Sequence, residues 1–281
     1  MKQKLPSTPG PIGVFDSGYG GLTILDKIRG LMPEYDYIYL GDSARCPYGP
    51  RSFEVVYEFT LQAVSKLFEL GCPLVILACN TASAKALRTI QQINLPVIDA
   101  TRRVLGVIRP TAECIGEITR SRHVGILATA GTIKSESYLL EIHKLSPDIV
   151  VTGEACPMWV SLVENNEYQS EGADYFVKQH INRLLDKDPM IDTIILGCTH
   201  YPLLLDKIRQ FTPEPIRIIA QGEYVARSLQ DYLNRHPEMD ARCEKGGKCR
   251  FLTTESENKF EESASIFLGR QDIKVKSIAL E

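Results

Sequence analysis

The sequence has 281 residues and lacks both a long hydrophobic run and an excess of charge of one sign. Its longest apolar runs, such as residues 74–79, fall far short of the ~20 residues that a membrane-spanning helix needs. The chain starts with two lysines and has no apolar stretch before Pro11, so we expect no signal peptide. The formal net charge is −3, which does not indicate a surface for nucleic acid or membranes. These absences predict a cytoplasmic protein that binds neither nucleic acid nor a membrane.

Common motifs for nucleotides and metals are also missing. No cysteine pair has C-x-x-C spacing, no P-loop Gly-Lys-Ser/Thr occurs, and the glycines after the first predicted strand do not follow G-x-G-x-x-G. Cys243 and Cys249 flank a polar loop with His236 as the nearest third ligand, a poor arrangement for zinc. Eight cysteines without secretory features indicate free thiols in a reducing compartment.

What is present is an alternation of short apolar runs with amphipathic helical patterns. The apolar runs predict strands at residues 12–16, 37–40, 74–78, 123–128, 149–152, 193–197 and 216–220. The amphipathic patterns predict helices at residues 52–70, 82–93, 134–144, 173–185 and 203–210. Near the C-terminus we expect a loop at 240–248, an extended segment at 250–254, a helix at 255–268 and a strand at 273–279. Because the alternation requires crossover connections, we predict an α/β fold with parallel sheets covered on both faces.

Two segments are repeated in similar form further along the chain. Residues 13–17 (Gly-Val-Phe-Asp-Ser) resemble residues 125–129 (Gly-Ile-Leu-Ala-Thr), and residues 75–80 (Val-Ile-Leu-Ala-Cys-Asn) resemble residues 194–199 (Ile-Ile-Leu-Gly-Cys-Thr). The pairs occur in the same order at nearly the same separation, which favours duplication of one α/β unit. Since ligands bind beyond the carboxyl ends of strands in open α/β sheets, two facing units place two strand-end sites across one cleft.

Cys79 and Cys198 hold matching positions in this repeat, each at the end of a predicted buried strand. Residues 80–83 (Asn-Thr-Ala-Ser) and 199–202 (Thr-His-Tyr-Pro) follow them and are favourable helix starts. Backbone N–H groups and the helix dipole favour a thiolate there, so we expect lowered cysteine pKa values. One such cysteine is more often a packing residue, but two in matching polar turns favour a reactive pair.

Two facing thiols suit the inversion of a stereocentre that bears hydrogen, because inversion needs a base on one face of the carbon and an acid on the other. Thiol and thiolate are forms of one residue with an ordinary pKa of about 8.5. One cysteine removes the proton as thiolate while the other returns a proton as thiol, and the roles exchange in the reverse direction.

Three further segments carry candidate residues. Asp16, after the first predicted strand, is either a helix cap or a group that accepts from a substrate ammonium or assists proton transfer at the first thiol. Tyr48 and the amide of Gly49 lie in a turn rich in Pro and Gly, which is either a plain surface turn or a donor site for a carboxylate. His200, two residues after the second thiol, is expected to line the cleft and either tune that thiol or shuttle a proton, since no cysteine-protease pattern accompanies it.

Four motifs are specific in combination. They are Asp-Ser-Gly with Gly-Gly at 16–21, Gly-Asp with Arg-Cys-Pro-Tyr-Gly at 41–49, Ala-Cys-Asn-Thr-Ala-Ser at 78–83, and Leu-Gly-Cys-Thr-His-Tyr-Pro-Leu at 196–203. Through them the chain, over about residues 11–230, resembles the bacterial glutamate racemases of the aspartate/glutamate racemase superfamily. The resemblance implies two similar α/β domains with the active site in the cleft between them, and neither cofactor nor metal. It further implies a two-cysteine racemase that interconverts L- and D-glutamate and supplies D-glutamate for peptidoglycan, and hence for cell wall and cell shape.

The resemblance also implies roles for individual residues. Cys79 would act on the D-enantiomer and Cys198 on the L-enantiomer, assisted by Asp16 and His200, with Glu164 near the second cysteine. The residues implied to bind substrate are Asp16, Ser17, Tyr48, Gly49, Asn80, Thr81, Thr132, Thr199 and His200.

The implied domain arrangement is discontinuous. We expect residues 1–101 and 216–281 to form the first domain, with Asp16 and Cys79, and residues 102–215 to form the second, with Cys198. Relative to the family pattern, residues 99–105 are an insertion at the expected crossover between the domains. The charged region beyond residue 231 has no clear family counterpart. The oligomeric state is left open, with a homodimer as one alternative.

Three other functions stay open on the sequence alone. A racemase for aspartate is the first, because one methylene in a pocket is worth only ~1–3 kcal/mol. A non-catalytic two-domain binding protein with buried thiols is the second. A hydrolase that uses Cys198 and His200 is the third.

Overall fold

The strands of the structure, a computed structural model that describes residues 9–269 and 273–280, form two separate parallel sheets. The first sheet has the order β10-β9-β2-β1-β3-β4, and the second has the order β6-β5-β7-β8. Within the described ranges the strands are β1 Ile12–Asp16, β2 Tyr37–Gly41, β3 Leu74–Leu77, β4 Arg103–Gly106, β5 His123–Ala128, β6 Val150–Ala155, β7 Thr193–Gly197, β8 Arg217–Ala220, β9 Cys249–Thr253 and β10 Val275–Ser277.

The two sheets share one topology. Four adjacent strands of the first sheet, β2-β1-β3-β4, correspond in order to β6-β5-β7-β8 of the second. β1 is equivalent to β5 and β3 to β7, and these strands carry the two pairs of segments that resemble each other in the sequence. Along β1, Val14 packs into one apolar layer and Phe15 into the layer on the opposite face of the sheet. The prediction of two similar parallel-sheet α/β domains is therefore confirmed.

Helices connect the strands and cover the sheets. Short 3₁₀ turns at Ser43–Arg45 and Tyr201–Leu204 and a π-helical turn at Ile90–Asn94 add to them. No helix within the part of the chain described here is long and apolar enough to cross a membrane. The helices are α1 Leu22–Leu31, α2 Phe53–Glu69, α3 Asn80–Lys85, α4 Leu87–Thr89, α5 Leu95–Asp99, α6 Ile108–Ile118, α7 Ala130–Lys134, α8 Ser137–Leu145, α9 Trp159–Glu164, α10 Glu171–Lys187, α11 Leu205–Phe211, α12 Gly222–Arg235, α13 Pro237–Asp240 and α14 Glu257–Leu268.

Local sequence explains several helix boundaries. Ser52 caps α2 by accepting a hydrogen bond from the backbone N–H of Val55 at 3.3 Å. The helix predicted at 134–144 is divided because Glu136 adopts a left-handed conformation with φ 55°, which separates α7 from α8. The helix predicted at 82–93 begins earlier, as α3, and continues through a π-helical turn into α5. Pattern alone located these helices but not their breaks.

The expected domain boundaries assign two strands, β4 and β8, to one domain although they pair with strands of the other. β4 falls in the segment 102–215 assigned to the second domain, yet it pairs with β3 in the first sheet. β8 falls in the segment 216–281 assigned to the first domain, yet it pairs with β7 in the second sheet. The expected insertion at 99–105 is thus the end of α5 and most of an additional strand of the first sheet. We propose that, within the described residues, the first domain comprises 9–106, 222–269 and 273–280, and the second 108–220.

The charged C-terminal region completes the first sheet. β9 pairs in parallel with β2 from Cys249 to Thr253, and β10 extends the sheet by one more strand. α14 packs the ring of Phe260 against Tyr19 and Tyr39, at centroid distances of 5.4 and 6.1 Å. The predicted extended segment, helix and final strand are all present, so this region belongs to the core of the first domain.

Candidate active site

The two predicted catalytic thiols lie just beyond the carboxyl ends of equivalent strands. Cys79 follows β3 and caps α3, where its sulfur accepts a hydrogen bond from the backbone N–H of Ala82 at 3.4 Å. Cys198 follows β7 directly. Both side chains are buried, with 5% and 7% of their surface exposed. The duplicated topology thus places one sulfur at the same strand end of each half.

Both thiols line one small cavity between the two sheets. Its volume is about 20 Å³, which is room for about one water molecule. An amino acid does not fit, so the two halves must separate before a substrate of that size enters. The lining residues are Ser17, Cys46, Pro47, Tyr48, Gly49, Cys79, Asn80, Thr81, Thr129, Val160, Cys198, Thr199 and His200.

Cys79 is buried close to a carboxyl group. Its thiol donates to Oγ of Ser17 at 3.4 Å. Burial and the nearby carboxyl group of Asp16 raise the pKa of Cys79 to about 12. The expectation of a lowered pKa at this helix start is wrong for Cys79, because lost hydration outweighs the backbone N–H of Ala82. In this closed arrangement Cys79 holds its proton at neutral pH.

Cys198 has the opposite surroundings. Nδ1 of His200 lies 3.9 Å from the sulfur of Cys198, and Nε2 of His200 lies 3.0 Å from Oε1 of Glu164. Burial disfavours the imidazolium, but the contacts with Cys198 and Glu164 outweigh it and raise the pKa of His200 to about 10. Although burial opposes it, His200 lowers the pKa of Glu164. His200 is therefore a cation at neutral pH, able to stabilise negative charge on the neighbouring sulfur but unable to act as its base.

Asp16 does not cap the helix that follows, because the N-cap of α1 is Gly21 and no side chain caps it. It is fully buried at the end of β1, where Oδ2 accepts from the backbone N–H of Gly18 at 3.0 Å. Oδ1 accepts from the hydroxyl of Thr199 at 3.5 Å. Burial raises the pKa of Asp16 despite the opposing positive charge of His200. The carboxyl group thus turns the chain after β1 and also acts electrostatically on Cys79.

The turn with Tyr48 and Gly49 lies at the cavity, but the phenol is already engaged. The buried hydroxyl of Tyr48 donates to Oδ2 of Asp42, which also accepts from Nε of Arg45 at 2.7 Å. The carbonyl of Gly49 accepts from the backbone N–H of Gly131 at 3.1 Å, a contact between the two halves. In this arrangement the Tyr48 hydroxyl holds the turn, and it does not donate to a carboxylate in the cleft.

Three threonine hydroxyls meet across the interface between the halves. Oγ1 of Thr81 lies 3.0 Å from Oγ1 of Thr129 and 3.4 Å from Oγ1 of Thr132. Thr132 lies outside the cavity lining, whereas Thr129, which was not predicted, lines it. Thr129 ends the segment that resembles residues 13–17, so it is the counterpart of Ser17 in the second half. The internal repeat therefore contained the signal that finds Thr129.

Cys46 and Val160 also line the cavity, and nothing in the sequence indicated either. The thiol of Cys46 donates to Oε1 of Glu164 at 3.1 Å, and so links the first half to the Glu164–His200 pair. Burial and Glu164 raise the pKa of Cys46 well above its ordinary value. An isolated cysteine beside a proline has no spacing that indicates a site, and a valine in a helix indicates only packing.

A family model supplies an independent line of comparison. Residues 23–229 match the model of a family described as Asp/Glu/Hydantoin racemase, and this segment contains both thiol-bearing strand ends. The chain belongs to this family. As a member of the Asp/Glu/Hydantoin racemase family it is an isomerase.

Relatives over nearly the full length agree with the family match. The chain is 40% identical to glutamate racemase from Bacillus cereus over 96% of this chain and 97% of that protein. It is 39% identical to glutamate racemase from Roseobacter denitrificans over 92% and 97% of the two chains. The resemblance to this family that the motifs indicated is confirmed.

Solved structures of the Asp/Glu/Hydantoin racemase family share the fold. A glutamate racemase isoform from Bacillus anthracis superposes with a TM-score of 0.87 at 36% identity, covering 96% of this chain and 98% of that one. Glutamate racemase from Francisella tularensis in complex with D-glutamate superposes with a TM-score of 0.85 at 31% identity, covering 97% and 98%. This chain thus shares its fold with these two glutamate racemases.

Proposed function

We propose that this member of the family is a cofactor-independent glutamate racemase that uses Cys79 and Cys198 as its two bases. The single observation that carries the proposal is that both sulfurs, from equivalent strand ends of the two halves, line one cavity. That arrangement supplies proton-transfer groups from opposite sides, which inversion at a hydrogen-bearing carbon requires.

Glutamate is the substrate that the comparisons favour. The relatives at 39–40% identity are named glutamate racemases, and one solved structure that is 31% identical holds D-glutamate. One methylene fewer distinguishes aspartate, so assays with both amino acids decide the assignment.

The charges in the closed cleft suit the L-to-D direction. Cys198 as thiolate takes the α-proton of L-glutamate, and the imidazolium of His200 stabilises the sulfur before the transfer. Cys79, whose pKa is raised to about 12, delivers its proton to the opposite face of the α-carbon. One C–H bond breaks and one forms, so Cys198 ends as thiol and Cys79 as thiolate. Proton exchange then restores the starting state.

The D-to-L direction needs Cys79 as thiolate and Cys198 as thiol. Asp16 is the group that assists here, since it lies beside Cys79 and its negative charge is the main charge that raises the pKa of that thiol. Glu164 keeps His200 charged and oriented at the other end of the cleft. The two carboxyl groups thereby serve different thiols.

The planar intermediate carries negative charge on the substrate carboxylate. The N–H groups at the start of α3 and of the 3₁₀ turn after Cys198, together with the polar side chains of Asn80, Thr81 and Thr199, are the donors available to stabilise that charge. Closing the two halves excludes water, which strengthens these interactions and protects the intermediate.

The product of this activity in the L-to-D direction is D-glutamate. We propose that the enzyme supplies it for peptidoglycan, the role implied by the resemblance to bacterial glutamate racemases. A strain that lacks the enzyme is then expected to require external D-glutamate for growth.

Replacement of each thiol by serine tests the mechanism. We expect Cys79→Ser and Cys198→Ser each to reduce racemisation by about 10³-fold, the loss of one proton-transfer group. In deuterated water, NMR should show that Cys198→Ser still exchanges the α-proton of D-glutamate and that Cys79→Ser still exchanges that of L-glutamate. Cys114→Ser, in α6 and away from the cavity, is the matched control. Undiminished racemisation in either variant would refute the two-thiol mechanism, and faster turnover of aspartate by the wild type would refute the substrate.

A further inference from the structure

Three buried side chains form a closed ring of hydrogen bonds beside the two thiols. Nδ2 of Asn80 donates to Oε1 of Gln221 at 2.7 Å, and Nε2 of Gln221 donates to the hydroxyl of Tyr138 at 2.7 Å. The Tyr138 hydroxyl donates to Oδ1 of Asn80 at 2.7 Å, which completes the ring. Only 2–3% of each residue is exposed, so water does not replace a missing partner. Breaking one bond leaves at least one buried polar group unsatisfied.

The ring connects both thiol-bearing turns. Asn80 is the residue after Cys79 and the first residue of α3. Tyr138, in α8, packs against the residue that precedes Cys198, since a Cβ on Gly197 would lie 3.1 Å from Cε2 of Tyr138. A shift of Tyr138 therefore reaches one thiol through packing and the other through Asn80.

Gln221 also connects the ring to the two segments where the chain crosses between the halves. It lies between β8 and α12, where the chain returns to the first half. Its Nε2 also lies 3.0 Å from the carbonyl of Val107, where the chain leaves the first half, and 3.2 Å from Oγ1 of Thr111. Because a carbonyl only accepts, the Val107 contact fixes the orientation of the Gln221 amide and with it the direction of the ring. The two covalent links between the halves are thus joined by one side chain.

We propose that Gln221 is a positioning residue that, through Asn80 and Tyr138, holds the two thiol-bearing turns at their working separation and ties that separation to the crossovers. The proposal rests on the proposed two-thiol racemisation and adds a residue to it. Gln221 lies outside the residues that line the cavity, so it acts through Asn80 and Tyr138.

The test uses two isosteric changes that each open the ring. Gln221→Leu removes all of its polar contacts, and Tyr138→Phe removes one hydroxyl without changing the packing of the aromatic side chain. Thr111→Val is the matched control, because it removes a buried hydroxyl bound to Gln221 while leaving the ring intact. Glutamate racemisation is followed in deuterated water, together with deuterium uptake into the unconverted substrate and the temperature of unfolding.

If the thiol that should protonate the opposite face of the α-carbon is misplaced, the thiol that removed the α-proton can return a proton to the original face. We therefore expect the ratio of deuterium uptake without inversion to racemisation to rise about tenfold in Gln221→Leu and in Tyr138→Phe, a loss typical of a shift well below 1 Å. The double variant should be no worse than the poorer single variant, because the ring acts as a unit. Thr111→Val should keep the wild-type ratio even if its unfolding temperature falls.

The ratio does not depend on how much of the protein is folded, so it separates positioning from stability. A wild-type ratio in both ring variants, or additive losses in the double variant, would overturn the positioning role. If the wild-type protein itself fails to racemise glutamate, the proposed function fails instead, and the two failures are distinguished.

Discussion

Replacing Gly20 by alanine should disable catalysis while leaving both halves folded. Gly20 lies in the turn between β1 and α1, and the Thr199–His200 turn of the other half packs directly against it. A Cβ on Gly20 would lie 2.6 Å from Nδ1 and 2.9 Å from Cε1 of His200, and closer still to the hydroxyl of Thr199. Ordinary contacts of a Cβ begin at 3.4 Å. The added methyl group therefore cannot be accommodated in the closed cleft.

The size of the effect follows from these distances. His200 and Thr199 must move by about 1 Å to admit the methyl group, and a displacement of that size at a reacting group costs about 10²-fold in rate. Gly20 is not among the glycines with positive φ, so alanine itself is unstrained there. We expect kcat in both directions to fall about 100-fold, while the unfolding temperature changes little because the halves can separate slightly. Circular dichroism of the glutamate enantiomers measures the rates.

Gly30→Ala is the matched control for this substitution. Gly30 lies in the last turn of α1, and its Cβ would meet nothing within 4 Å. We expect it to raise the free energy of unfolding by ~0.5–1 kcal/mol through helix propensity and to leave kcat unchanged. A Gly20→Ala protein that turns over within about threefold of the wild type would show that the contact of Gly20 with Thr199 and His200 does not persist in the substrate-bound form.

Two further predictions concern charge. Glu164→Gln should lower the pKa of His200 from about 10 toward its ordinary value near 6.5, as followed by NMR of the imidazole. Because the folded pKa of His200 is raised, its contribution to stability is complete below about pH 6.5 and is lost as pH rises through about 10. In the Glu164→Gln variant this loss of stability should occur at a lower pH than in the wild type. Although partial burial opposes it, backbone N–H groups of Ser121 and Arg120 help to lower the pKa of Asp192 to about 2. Asp192→Asn should therefore cost about 1 kcal/mol at pH 7, after a discount for solvent screening, and nothing below about pH 2 in urea denaturation; an equal cost at both pH values would contradict this account.

The two thiols and every strand of the described residues except β4 could be predicted, because each depends on local sequence. Buried parallel strands read as short apolar runs, and a cysteine at a strand end followed by helix-start residues keeps its position whatever the rest of the chain does. The sheet to which a strand belongs depends instead on pairing with distant residues. β4 and β8 were for this reason placed on the wrong side of the expected boundaries, although β8 itself was predicted almost residue for residue.

The electrostatics of the site were harder to predict because they arise between residues that are far apart in the sequence. The helix start behind Cys79 favours a thiolate, but burial in the folded protein reverses the direction of its pKa shift. The charge on His200 likewise depends on Glu164. This residue ends α9, 36 residues earlier in the chain, and contacts His200 only in the folded state. Helix-start chemistry is local, whereas lost hydration is a property of the closed molecule.

The unequal sheets also determine the order in which the halves can be completed during synthesis. The four-stranded sheet is built from one continuous segment that ends with β8, so all its strands exist while the C-terminus is still being translated. The six-stranded sheet must wait, because β2 has no partner on its outer edge until β9 emerges. Domains generally fold as units. The first domain is therefore begun first but completed last, when the C-terminal segment with β9 has been translated. A chain truncated near residue 240 would have all strands of the second half but an incomplete first half, in which the edge of β2 is exposed.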